Sequence, residues 1–123
     1  SAGVDAIVPK LKSLVERGYS IAIYPEGTRS KDCSIGRFHQ GAFHLAQKLD
    51  LDIVPLVVYG SGRALPKHGR VLNKWPIHLE IGKRINPDEL KKMGETSREQ
   101  ASAVRKLYKE RFTELANRFE QNV

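Results

Sequence analysis

Ile21-Ala22-Ile23-Tyr24-Pro25-Glu26-Gly27-Thr28-Arg29-Ser30 is the stretch on which the reading of the fold turns. Ser20 to Tyr24 is short, apolar and rich in β-branched residues, the pattern of a buried strand. Pro25 has no N–H to give a ladder, so the strand is expected to end there. A carboxylate, a glycine, a hydroxyl and a guanidinium follow at once. In an open α/β sheet, ligands sit at the C-terminal ends of strands. Gly27 permits a close backbone approach or a positive φ. Arg29 carries a planar fork suited to phosphate. Glu26 can orient that fork or accept hydrogen bonds from hydroxyls. This chemistry suits a phosphate-bearing polyol better than a metal. The competing reading is an ordinary turn held by a surface ion pair.

Upstream, Val4, Ile7, Val8, Leu11, Leu14 and Val15 recur at helical spacing, predicting an amphipathic helix over 4–17. Pro9 either lies in its first turn or kinks it, and Gly18 is a natural cap. Downstream, 30–37 is a polar loop that either closes over a ligand or is a solvated excursion. Residues 41–48 form a short apolar helix whose N-terminus can help hold an anion. His44 within it reads as a partly buried structural histidine. His39, before it and beside Arg37, is a candidate substrate contact or a solvated loop residue.

Ile53 to Tyr59 is a continuous apolar run, as in a strand covered on both faces, with Pro55 marking an edge or a bulge. Gly60 to Arg63 is a flexible turn. Arg63, Lys67, His68, Arg70 and Lys74 are interleaved with Leu65, Val71, Leu72 and Trp75. That stretch either lies on anionic lipid or merely leads into the next strand. Ile77, Leu79 and Ile81 alternate with polar residues in a half-buried strand. Asn86-Pro87-Asp88-Glu89 starts a helical turn, and Ser97 with Gln100 resembles a capping box. A long helix over about 97–120 follows, with Ala101, Val104, Leu107, Tyr108, Leu115 and Phe119 on one stripe. The order of elements indicates an α/β fold, a mixed sheet flanked by helices.

The chain has 123 residues, 40% hydrophobic and 28% charged, which allows one domain over 1–123. One cysteine, Cys33, excludes an internal disulfide framework. No run of about 18 apolar residues is long enough to span a bilayer. A net charge of +7 favours anionic partners. No zinc-finger spacing, RNA-binding aromatic motif or Gly-rich phosphate loop is present, so substrate phosphate and membrane surface rank above nucleic acid.

Tyr24-Pro25-Glu26-Gly27-Thr28-Arg29-Ser30 resembles the third conserved block of the PlsC-like glycerolipid acyltransferases, the 1-acylglycerol-3-phosphate O-acyltransferase family. Phe38-His39-Gln40-Gly41-Ala42-Phe43 resembles the family's F-x-x-G-A segment, and Ile53 to Val58 its fourth block. These signals come in the family's order and span about 5–85. The family's catalytic signature, a His and an Asp separated by four residues, is missing. His39, His44, His68 and His78 are followed five positions later by His44, Leu49, Asn73 and Lys83.

The resemblance implies an incomplete acyltransferase domain that begins after its catalytic residues, so no catalytic residue is expected in this chain. It implies that the parent enzyme transfers an acyl group from acyl-CoA or acyl-carrier protein to a lysophosphatidic-acid-like acceptor, with no metal or other cofactor. Glu26, Gly27, Thr28, Arg29, Ser30, Phe38 and Gly41 would line the acceptor side and Pro55 the acyl-donor side. The expected location is peripheral, on the cytoplasmic side of a membrane with an anionic surface. Missing neighbours are expected to leave a sheet edge open to self-association. The alternative is a non-catalytic phosphate- or membrane-surface-binding module of the same fold.

Overall fold

A computed structural model describes residues 2–27, 32, 34–65 and 67–120. In chain order the elements are α1 (Ala2–Glu16), α2 (Gly41–Lys48), β1 (Leu56–Tyr59), α3 (Ser61–Ala64), β2 (His78–Ile81), α4 (Pro87–Met93) and α5 (Ser97–Glu120). No helix among the described residues is long and apolar enough to cross a membrane.

The helices form where their end signals stand. α1 runs through Pro9, which is exposed, so the helical carbonyl that loses its donor there lies on the solvent side. It ends in a Schellman motif, with Gly18 N–H donating to Val15 O at 2.9 Å and Tyr19 N–H to Leu14 O at 3.1 Å. In α4, Pro87 opens the helix and the Asn86 side chain accepts from Glu89 N–H at 2.8 Å. The cap of α5 is one residue earlier than expected. Thr96 Oγ1 accepts from Glu99 N–H at 3.2 Å, and Glu99 reaches back to Glu95 N–H at 2.9 Å. Gln100 is buried instead, donating to Gly94 O at 3.0 Å.

Helices flank a sheet as expected, and among the described residues that sheet is two-stranded and antiparallel, pairing Leu56 with Ile81 and Tyr59 with His78. Its strands differ from the expected pattern in three ways. The expected strand at Ile21–Tyr24 is extended chain without a ladder partner among the described residues, and Tyr24 is 86% exposed. An apolar run becomes a strand only when a neighbour takes its N–H and C=O groups. Ile53–Tyr59 is likewise not covered on both faces: only Val57 and Tyr59 are buried, while Val54 and Leu56 are exposed.

The second strand presents the face opposite to the one expected. Leu79 and Ile81 are exposed, and His78 and Glu80 turn toward α5. The partners on α5 explain this. His78 stacks on Phe119, with ring centroids 3.5 Å apart, and Glu80 pairs with Arg111. Pro55 does sit at a bulge. Between the Ile53–Ile85 bridge and the Leu56–Ile81 pair, Val54 and Pro55 face the three residues 82–84.

Phe38, Phe43, Ala46, Ile85, Leu90, Ala101 and Val104 form the larger core cluster. Val57, Tyr59 and Leu115 form the smaller, and Tyr108 packs against both. Burying a side chain such as Leu90 contributes roughly 1.5–3 kcal/mol. α5 is therefore the spine, touching α2, α4 and β1. α1 packs on α2, where His44 Nε2 lies 2.8 Å from Asp5 Oδ1. That hydrogen bond holds the Asp5 carboxyl below its ordinary range.

Candidate functional site

The turn after the extended segment is closed by Gly27 N–H donating to Tyr24 O at 2.9 Å. Pro25 occupies its second position, where a fixed φ favours the turn. Gly27 has φ +72°, and a Cβ there would meet the His39 ring at 3.3 Å. Only glycine takes this backbone without strain while His39 packs so close.

Residues 34–39 lie against the turn. His39 N–H donates to Pro25 O at 2.8 Å, and Gly36 N–H donates to Glu26 Oε2 at 2.9 Å. Glu26 thus uses a carboxylate oxygen to hold the neighbouring segment. α5 then clamps that segment from the other side. Arg105 donates from Nε to Gly36 O at 2.8 Å and from Nη2 to Ile35 O at 2.9 Å. Three residues further on, Tyr108 meets Phe38 edge-on at 5.6 Å and donates its hydroxyl proton to Leu56 O at 2.9 Å. Val58 N–H donates to the same hydroxyl at 3.2 Å. Burial raises the Tyr108 pKa; the bond from Val58 opposes the rise, and the Glu26 carboxylate adds to it.

The structure therefore brings Glu26, Gly27, Gly36, Phe38 and His39 together around one turn. Phe38 is buried in the core, where its ring packs rather than faces solvent. Gly41 is the first residue of α2 and lies against Val4 of α1. Pro55 stands beside β1, its carbonyl accepting from Gly82 N–H at 2.8 Å. Thr28, Arg29 and Ser30 lie outside the described residues.

Arg105 and Tyr108 were not foreseen as parts of this site. Their spacing held the signal. Ala101, Val104, Arg105 and Tyr108 stand on one helical face, so Arg105 falls inside the apolar stripe and not on the charged surface. Leu107, expected on that stripe, is 48% exposed.

The family model described as Acyltransferase matches residues 4–59, the segment that carries the turn, the 34–39 segment, α2 and β1.

Curated proteins named as 1-acyl-sn-glycerol-3-phosphate acyltransferases are similar to the chain. The chain is 40% identical over 73 residues to the chloroplastic 1-acyl-sn-glycerol-3-phosphate acyltransferase BAT2 of Brassica napus, covering 58% of this chain and 21% of that protein. It is 34% identical over 92 residues to the 1-acyl-sn-glycerol-3-phosphate acyltransferase of Saccharomyces cerevisiae, covering 72% of this chain and 30% of that one. The crystal structure of PlsC, the 1-acyl-sn-glycerophosphate acyltransferase of Thermotoga maritima, shares the fold. It superposes with a TM-score of 0.75 at 24% identity, over 91% of this chain and 43% of that chain. The chain thus spans under a third of the length of these two curated relatives.

Proposed function

We propose that this chain supplies the acceptor-phosphate side of a 1-acylglycerol-3-phosphate O-acyltransferase, and that the whole enzyme moves an acyl group from acyl-CoA or acyl-carrier protein to a lysophosphatidic-acid-like acceptor. The acceptor hydroxyl oxygen attacks the thioester carbonyl, a C–O bond forms, the C–S bond breaks, and the thiol leaves with the proton. The observation that carries this reading is the Glu26–Gly27 turn, held from behind by Gly36 and Arg105. Glu26 anchors the turn, Gly27 keeps the backbone open, and Arg29 binds the phosphate with Thr28 and Ser30 shaping its site. Phe38 and Gly41 support that site, and Pro55 belongs to the acyl-donor side.

A base must take the hydroxyl proton, and no histidine here has an aspartate five positions later. The base and its orienting carboxylate come from residues outside this chain, and the chain by itself does not turn over. The enzyme works at the periphery of the cytoplasmic face of a membrane, and its exposed sheet residues give the isolated chain a tendency to self-associate. The test is acyl transfer to a lysophosphatidic acid by the complete protein, compared with residues 1–123 alone. Transfer only by the complete protein is expected. Transfer by the chain alone overturns the division of labour, and none by either supports the non-catalytic module.

A further inference from the structure

Between Asp52 and Glu80 the chain carries no acidic residue, while Arg63, Lys67, Arg70 and Lys74 are all basic. The structure gathers part of this stretch into a closed loop. Asn73 N–H donates to Ala64 O at 2.7 Å and Asn73 Nδ2 to Arg63 O at 3.1 Å, so the loop's two ends meet. Arg63 covers the Trp75 ring at 5.0 Å and pairs with Glu120, tying that base to α5. Gly60, at φ +97°, lies so close to the Pro76 carbonyl that no Cβ fits between them. His68 turns the chain with φ 67°. On this anchored base, Val71 is 71% exposed and Leu72 72%, flanked by exposed Arg70 and Lys74.

We propose that the loop from Lys67 to Lys74 docks on a bilayer of anionic phospholipid. Val71 and Leu72 enter the boundary between headgroups and acyl chains, while Arg70 and Lys74 engage the headgroup charges. The pairing of aliphatic and basic side chains, with acidic ones excluded, suits this partner. A polyanion without an apolar layer would leave the two aliphatic side chains in water. The placement deepens the acyltransferase reading, since the acceptor of such an enzyme is a membrane lipid.

The test labels the loop itself. In the complete protein, an environment-sensitive fluorophore on Leu72→Cys, with Cys33→Ser, is titrated with vesicles of phosphatidylcholine alone or mixed with phosphatidylglycerol. A blue shift on the anionic vesicles is expected, weakened by salt. Each basic side chain near such a surface is worth roughly fivefold in binding, so Arg70→Gln with Lys74→Gln should weaken it about twenty-fivefold. No shift on either vesicle overturns the proposal. A shift that is equal on neutral vesicles and indifferent to salt overturns its electrostatic half. Binding to duplex DNA without any shift on vesicles assigns the loop to nucleic acid instead. Acyl transfer to a detergent-dispersed acceptor is measured alongside. If it is absent while the blue shift persists, the proposed activity fails and the docking loop stands.

Discussion

Arg105 on α5 and Gly36 beside the Glu26 turn are joined by a 2.8 Å hydrogen bond across 69 residues of sequence. With the second bond to Ile35 O, the guanidinium fork fixes two consecutive carbonyls. The same segment is held from its other side, where Gly36 N–H donates to Glu26 Oε2 at 2.9 Å. The Glu26–Gly27 turn is therefore held by a helix that lies beyond the residues the family model matches.

If the Glu26–Gly27 turn serves the acceptor as proposed, Arg105→Lys in the complete protein should raise KM for a lysophosphatidic acid acceptor more than it lowers kcat. Lys keeps the charge but cannot span both carbonyls. Arg105→Ala should also cost about 1.5–3 kcal/mol of stability, the worth of a charged hydrogen bond. Thermal melts beside steady-state kinetics check this. A melting shift with unchanged KM for Arg105→Lys would make the residue structural only.

Gly27→Ala should lower stability by about 1–2 kcal/mol, the cost of a left-handed L-residue, and disturb His39 as well. Denaturant unfolding measures the first effect. Substitution of His39 by Ala should recover the steric part of the loss but not the backbone part, because the added methyl would meet the His39 ring.

Tyr108→Phe keeps the edge contact with Phe38 but removes the bonds to Leu56 O and from Val58 N–H. A loss of about 1–2 kcal/mol is expected. The pH dependence has a definite sign. The Tyr108 pKa is raised in the fold, so its stabilising contribution is complete below the ordinary value of 10.0 and is lost as pH rises through the folded value. Alkaline unfolding of Tyr108→Phe should lack that component of the wild-type curve.

Asp5 offers the complementary test at acid pH. Its pKa is lowered, first by the hydrogen bond with His44, so its contribution is present above the ordinary 3.8 and lost as pH falls through the lower folded value. Asp5→Asn should therefore flatten the acid limb of a stability curve, and an unchanged limb would remove this pair from the α1–α2 contact.

The helices were legible because their signals are local. Gly18, Asn86 with Pro87, and the stripe of α5 each act within a few residues of where they stand. The sheet was less legible because a strand's face is chosen by its partner. Ile77, Leu79 and Ile81 have the apolar alternation of a core face, yet α5 takes His78 and Glu80 through Phe119 and Arg111. Ile21–Tyr24 shows the same dependence, since its composition is that of a strand and its ladder needs a neighbour. Within the site, the Glu26–Gly27 turn was readable from Pro25 and Gly27. Arg105 was not, because a guanidinium that serves distant carbonyls looks the same in sequence as one in solvent.

The most direct measurement concerns Arg29, compared in the complete enzyme as wild type and Arg29→Lys. The specificity constant kcat/KM is determined for a phosphorylated and an unphosphorylated glycerolipid acceptor, with a melt to confirm folding. If Arg29 grips the acceptor phosphate, loss of the bidentate fork costs about 1.5–3 kcal/mol, roughly ten- to hundredfold, on the phosphorylated acceptor alone. An equal loss on both acceptors, or none on either, would contradict the assignment of residues 26–30 as the phosphate site.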